Sequence, residues 1–246
     1  MKRLIKVGCS GFPVARAKYY KNFECIEINV TFYQLPRIET ARKWRKEAPD
    51  NFEFIIKAWQ LITHPYGGPT YDRLFERISP LDAGNYGFFK PTKQVFAAWE
   101  RTRQFASELG CEKVLFQSPA RFKPSPENIS NIRNFFGRIN RTNKKLVFMW
   151  EPRGNWPENE IMSICREAGL VHCVDPNHDR PAYGAFNYFR LHGAWEGNKI
   201  NYNYSFSGAE LKKILKSCDK RLNYVMFNHR EMFDNAVEFR KMTQNP

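Results

Sequence analysis

The chain has 246 residues, with 39 lysines and arginines against 25 aspartates and glutamates, a formal net charge of +14. That length suits one (β/α)8 barrel without requiring two domains, and a hydrophobic fraction of 42% supports a large core and argues against a disordered chain. No stretch approaches the roughly 18 apolar residues of a membrane span, and the apolar run after the basic start Met1-Lys2-Arg3-Leu4-Ile5-Lys6 is too short for a signal peptide, so no membrane partner and a cytoplasmic location are expected.

In chain order, the first strand is expected over 5–8, running into the small-residue turn Cys9-Ser10-Gly11. The second spans 25–29 and continues through Val30-Thr31-Phe32-Tyr33 until Pro36 stops it. Residues 39–47 read as a helix, with Ala41, Trp44 and Ala48 at helical spacing, and 52–57 as the third strand. Residues 60–92 carry Pro65, Gly67, Gly68, Pro69, Pro80, Gly84, Gly87 and Pro91 and predict an elaborated loop over the rim. A helix over 93–109 ends at Gly110. Strands over 113–117, 146–150, 170–174, 186–191 and 224–227 then alternate with helices over 126–141, 158–168, 208–218 and 235–242. Pro176 and Pro181 make the crossover after the sixth strand short or irregular, and a Gly- and Tyr-rich loop follows the seventh. This alternation predicts a parallel sheet with right-handed crossovers, and eight units predict a single TIM-like (β/α)8 barrel over 1–246. A doubly wound sheet is disfavoured because no G-x-G-x-x-G follows a strand.

Most of these strands end in polar residues: Glu27 and Asn29, Lys57, Gln117, Glu151 and Arg153, Asp175, Arg190 and His192, and Asn228. Side chains alternate along a strand, so each such pair shares a face. A rim of this kind is where a parallel barrel keeps its active site. Three chemistries remain open. Lys57, Arg153 and Arg190 are candidates to bind phosphate or carboxylate, with Ser10, Asn29, Tyr33, Gln117, Trp156 and Asn228 as further substrate contacts. Glu27, Glu151, Asp175 and a histidine are candidate ligands of a divalent metal. Glu27 or Glu151 could serve as general base with His192 as paired acid, and His64 joins from the long loop as a second proton carrier. A structural ion-pair network is the plainer alternative for any one of them.

Phe32, Tyr33, Trp59, Trp150, Trp156 and Trp195 lie in or near strand-end loops, where packing is the commoner use and stacking on a base or sugar the functional one. Tyr202 and Tyr204 are similarly ambiguous. Cys9-Ser10-Gly11 offers either an exposed serine or, better, a tight turn whose amides bind an anion. Six scattered cysteines without a C-x-x-C pair read as small buried residues. The positive charge favours nucleic acid or phosphorylated small molecules as partners, or serves the surface alone.

Laid out in this way, the chain resembles the YecE-like family, domain of unknown function 72. Gly8-Cys9-Ser10-Gly11-Phe12 is similar to its opening motif, where tryptophan is more usual than Phe12. Residues 27–36, Glu-Ile-Asn-Val-Thr-Phe-Tyr-Gln-Leu-Pro, match its most specific segment, with Val30 and Gln34 replacing the commoner serine and arginine. Lys57-Ala58 with Thr63-His64, then Leu115-Phe116-Gln117-Ser118-Pro119, fit the next blocks. Glu151-Pro152-Arg153 with Trp156, Arg190-Leu191-His192-Gly193 and Phe227-Asn228-His229 resemble the last three, His229 departing from a second asparagine. The resemblance implies a TIM-like barrel and no agreed activity. The residues themselves predict an enzyme acting on a phosphate-bearing substrate, DNA or RNA among the candidates, with metal-assisted phosphoester hydrolysis by a hydrolase or nuclease as the most specific form. The alternatives are a sugar or sugar-phosphate isomerase or lyase, and a non-catalytic nucleic-acid-binding protein.

Overall fold

The computed structural model describes residues 3–197 and 199–244; Met1 and Lys2 of the basic start lie outside them. The elements are β1 (Leu4–Cys9), α1 (Arg16–Asn22), β2 (Cys25–Ile28), α2 (Val30–Tyr33), α3 (Ile38–Glu47), β3 (Glu53–Lys57) and α4 (Gln60–Thr63), followed by α5 (Lys93–Leu109), β4 (Lys113–Ser118), α6 (Pro126–Thr142), β5 (Val147–Pro152), α7 (Glu158–Ala168) and β6 (Val171–Val174). The chain continues through β7 (Asn187–Leu191), β8 (Ala194–Glu196), β9 (Lys199–Asn201), α8 (Gly208–Ser217), β10 (Leu222–Phe227) and α9 (Met232–Gln244).

Among the described residues, eight strands pair in the order β1-β10-β7-β6-β5-β4-β3-β2, every pair parallel. A parallel bridge between Ser10 and Glu27 brings β1 back onto β2 and closes the TIM-like barrel. Gly8 permits that closure, because a Cβ there would lie 2.6 Å from the Cys25 carbonyl oxygen. Apolar side chains pointing outward from the strands meet the helices in an aromatic layer that includes Trp99, Phe116, Phe135, Phe136 and Phe148. Inward-pointing Cys25, Ile55, Leu115, Met149, Cys173, Tyr188 and Met226 plug the barrel interior.

Below that plug, at the end where the strands begin, Glu53 pairs with Lys6 and with Lys113 (3.2 Å) and accepts a hydrogen bond from the Tyr224 hydroxyl at 2.6 Å. The carboxylate is thereby satisfied on every side. Above the plug lies the candidate site.

Several local expectations are corrected. The second strand does not continue through Val30-Thr31-Phe32-Tyr33; it stops at Ile28 and those residues form one helical turn. The Thr31 hydroxyl holds the turn, lying 2.7 Å from both the Ile28 and the Lys57 carbonyl oxygens with its single proton shared between them. The long loop after β3 contains α4 and two 3₁₀ turns, Pro69–Arg73 and Ala83–Asn85. The loop after β7 carries an antiparallel hairpin, β8 with β9. As its prolines predict, the β6–β7 crossover has no helix. All six cysteines are buried and free, and burial pushes the thiols of Cys9, Cys111, Cys165 and Cys218 up to about 12, which keeps them inert. No described helix is long and apolar enough to cross a membrane.

Candidate active site

The strand-end residues converge as their alternation requires, and one of them organises the rest. Arg190, on β7, is buried with its side chain 1% exposed and wedges between two carboxylates. Its Nε donates to Glu27 Oε1 and Oε2 at 3.1 and 3.0 Å, its Nη2 to Glu27 Oε1 at 2.7 Å, and its Nη1 to Glu151 Oε2 at 2.5 Å. Glu27 also accepts from the Ser10 hydroxyl (2.9 Å) and the Tyr188 hydroxyl (2.8 Å). Burial opposes charge on Glu151, but Arg153 and Arg190 together hold its carboxyl well below the usual range.

His192 is locked into the same floor. Its Nε2 receives Arg153 Nη2 at 2.8 Å and Arg190 Nη1 at 3.1 Å. Guanidinium groups only donate, so Nε2 must be the acceptor and the proton sits on Nδ1, an assignment inferred from these partners. Nδ1 lies 3.6 Å from Asp175 Oδ2, near enough for attraction and too far for a hydrogen bond. Burial and the neighbouring Arg153 push His192 down to about 4, so it is neutral across the physiological range. Asp175 is fixed by the His192 amide (3.3 Å), the Trp195 indole N–H (3.1 Å) and the Asn177 amide (3.0 Å).

Over this saturated floor the mouth contains a group with no such partners. Lys57 ends β3 with its Nζ 3.9 Å above the Phe32 ring, and among the described residues it has no hydrogen-bond acceptor. Burial and the charge of Arg190 push it down from 10.5 to about 7, although Glu151 and Glu27 pull the other way. The face of Phe32 offers only about 0.5–2 kcal/mol to the charged form, too little to restore it. Phe32 sits there because the α2 turn places it. His64 packs edge-on against the same ring (centroids 4.8 Å apart), and its Nδ1 is 2.8 Å from Thr63 Oγ1. Burial, with Lys57 and Arg121 nearby, pushes His64 down to about 3. Around the mouth stand Asn29 and Asn228 (3.4 Å apart), Gln117, Tyr33 under the Arg73 guanidinium (3.6 Å), and the exposed Tyr202.

Residues 15–245 match the family described as Protein of unknown function DUF72. The chain belongs to the DUF72 family. A curated relative, UPF0759 protein YunF of Bacillus subtilis, is 28% identical over 257 aligned positions that cover 92% of this chain and 84% of YunF. A solved DUF72 family protein from Enterococcus faecalis superposes with a TM-score of 0.71 at 21% identity, covering 98% of each chain. A xylose isomerase domain protein from Planctomyces limnophilus shares the barrel, with a TM-score of 0.64 at 13% identity over the full length of both.

In this DUF72 barrel the expected rim residues come together, and their contacts bear on the expected roles. Arg190 is not an anion binder, because Glu27 and Glu151 occupy its guanidinium. Glu27 has both oxygens engaged, which leaves it a poor general base. His192 is not a free proton carrier, since two arginines hold its Nε2 and its Nδ1 is buried. Arg190 fills the space between the Glu27 and Glu151 carboxylates, and no group of three His, Cys, Asp or Glu that could hold a metal ion occurs among the described residues. Trp156 donates its indole N–H to the Phe122 carbonyl at 2.7 Å and packs on Trp150, bracing the loop that carries Arg153 rather than facing the cluster. One contributor, Tyr188, is not singled out by the sequence. Tyr188 lies two residues before Arg190 on the same inward face, so the period of the strand points to it. Trp195 was visible only as a loop aromatic, because the hairpin that brings it to Asp175 has no strong sequence signal.

Proposed function

We propose that this protein is an enzyme performing acid–base chemistry on a small carbonyl compound of the sugar or sugar-phosphate class, with Lys57 as the group that takes and returns the proton. The observation that carries this reading is the acceptor-free Lys57 amine at a barrel mouth, pushed down to about 7 and therefore able to exchange a proton at neutral pH. The amides of Asn29, Asn228 and Gln117 suit hydroxyl groups, and the Arg153 side chain, 17% exposed, suits a polarised oxygen. Arg121 and Arg73 form no ion pair among the described residues and lie near His64 and on Tyr33, where a phosphate could be met. A sugar-directed name on a neighbour of the same fold, the xylose isomerase domain protein, is compatible with this class. The test is exchange of carbon-bound hydrogen with D₂O across a panel of aldoses, ketoses and their phosphates. Wild-type exchange with at least one member, abolished in a folded Lys57→Met variant, is the expected result; exchange that persists in the variant removes Lys57 from the proton-transfer role.

A second reading, nucleic-acid binding, draws on the +14 charge and on an open groove outside α6 and α7 where Arg133, Arg138 and Arg141 lie together. It predicts binding that falls steeply with salt and is indifferent to Lys57→Met.

A further inference from the structure

We propose that Lys57 acts covalently: its Nζ adds to the carbonyl carbon of the substrate and expels water to form an imine. This rests on the reading of the mouth as a site for a carbonyl compound. It goes further in making Lys57 a nucleophile and not only a base.

The geometry separates Lys57 from the other lysines inside the barrel. At the opposite end Lys6 and Lys113 are both paired with Glu53. A lysine as buried as Lys57 ordinarily has a carboxylate partner, because an unpaired buried ammonium is costly. Here the nearby carboxylates of Glu27 and Glu151 are occupied by Arg190 and Arg153, and the Phe32 face fills one side of the amine. The amine is left largely buried, beside other cations and without an acceptor among the described residues, and a neighbouring cation is one of the conditions under which a lysine becomes nucleophilic near neutral pH. The charged groups facing it are Arg190, Glu151, Glu27 and Arg153, with His64 alongside.

The chemistry balances without a further reactant. The nitrogen lone pair forms a C–N bond as the carbonyl π bond breaks, and a proton from the nitrogen moves to the oxygen to give a carbinolamine. The nitrogen lone pair then forms the C=N bond as the C–O bond breaks, the oxygen leaving as water with the remaining N–H proton, and the imine takes one proton from solvent to become an iminium cation. Glu151 and Glu27 offset part of the charge of Arg190 on this cation, and hydrolysis returns the free amine. The iminium in turn acidifies the adjacent C–H, which ties the covalent step to the exchange chemistry above.

The test is reductive trapping at pH 7 with sodium cyanoborohydride and either glycolaldehyde or glyceraldehyde 3-phosphate, followed by peptide mapping of the wild-type protein. An ordinary lysine amine is almost wholly protonated at pH 7, so Lys57 should be modified at least about ten-fold faster than any other lysine. A folded Lys57→Met variant should lose that early adduct and keep the slow ones. Modification of Lys57 at the same rate as surface lysines overturns the proposal. The D₂O panel separates the two levels: exchange without trapping retains proton transfer by Lys57 and removes the imine. Rapid trapping at Lys57 without exchange keeps the imine and removes the acid–base reading. Absence of both overturns the imine along with it.

Discussion

The two ends of this barrel solve the same electrostatic problem in opposite ways. Where the strands begin, Glu53 meets two lysines and a tyrosine hydroxyl, and each group has its partner. Where the strands end, Glu27, Glu151 and Asp175 are also satisfied, yet the arrangement leaves Lys57 without an acceptor and His192 Nδ1 and Arg153 Nε without hydrogen-bond partners among the described residues. The lower end is a partly exposed brace. The upper end is a rigid floor under unspent chemistry. Ionic groups at a barrel rim therefore do not mark a reactive site by their presence. The informative ones are those left over after pairing.

The largest expected effect comes from removing the wedge. Arg190→Leu would bury Glu27 and Glu151 uncompensated and should cost about 3–5 kcal/mol in urea unfolding, or prevent folding altogether. A loss below about 1 kcal/mol, typical of exposed pairs, would mean the floor is not the structural unit described. Glu27→Gln should follow, at about 1.5–3 kcal/mol, since charged hydrogen bonds to Arg190 weaken while the shape is kept. Lys57→Met should behave in the reverse sense, with stability unchanged or raised by about 1 kcal/mol and activity gone, because an apolar side chain of similar length relieves an unpaired buried amine. Lys113→Met at the lower end should cost less than about 1 kcal/mol, since Lys6 and Tyr224 remain and the pair is partly exposed. Equal costs at the two ends would erase the contrast between them.

The contrast also has a pH signature. Between about 7 and 10.5 Lys57 is deprotonated in the native protein and protonated in the unfolded chain. The unfolded state then binds the extra proton, so stability rises with pH across that window; below about 7 the full penalty of charging the buried amine is present. Wild-type protein should thus gain stability relative to Lys57→Met as pH rises from 7 to 10, measured by thermal melting. A flat difference would place the Lys57 proton elsewhere than described.

Much of this was legible from the chain alone, for a physical reason. Strands such as 113–117 and 186–191 alternate between a helix-packed face and an inner face, and that period carried Gln117, Arg190 and Tyr188's neighbours to the correct rim. Val30-Thr31-Phe32-Tyr33 misled because β-branched and aromatic residues favour strands, while the deciding contact, Thr31 to the Lys57 carbonyl, is tertiary. The α1 helix has no side-chain cap at its start and was missed for want of that signal. The membership of the site followed from alternation, but the roles did not. Which arginine is consumed by which carboxylate depends on three-dimensional pairing, and Arg190 and Arg153 are indistinguishable in sequence until their partners are seen.

The most direct test of the central claim is a titration of Lys57 itself, by NMR of its labelled side chain in the intact protein, with Lys57→Met to assign the signal. The expected midpoint is about 7, from burial of the amine and the charge of Arg190. A midpoint at or above the ordinary 10.5 would contradict it, leaving Lys57 a charged structural residue and the mouth without its reactive amine.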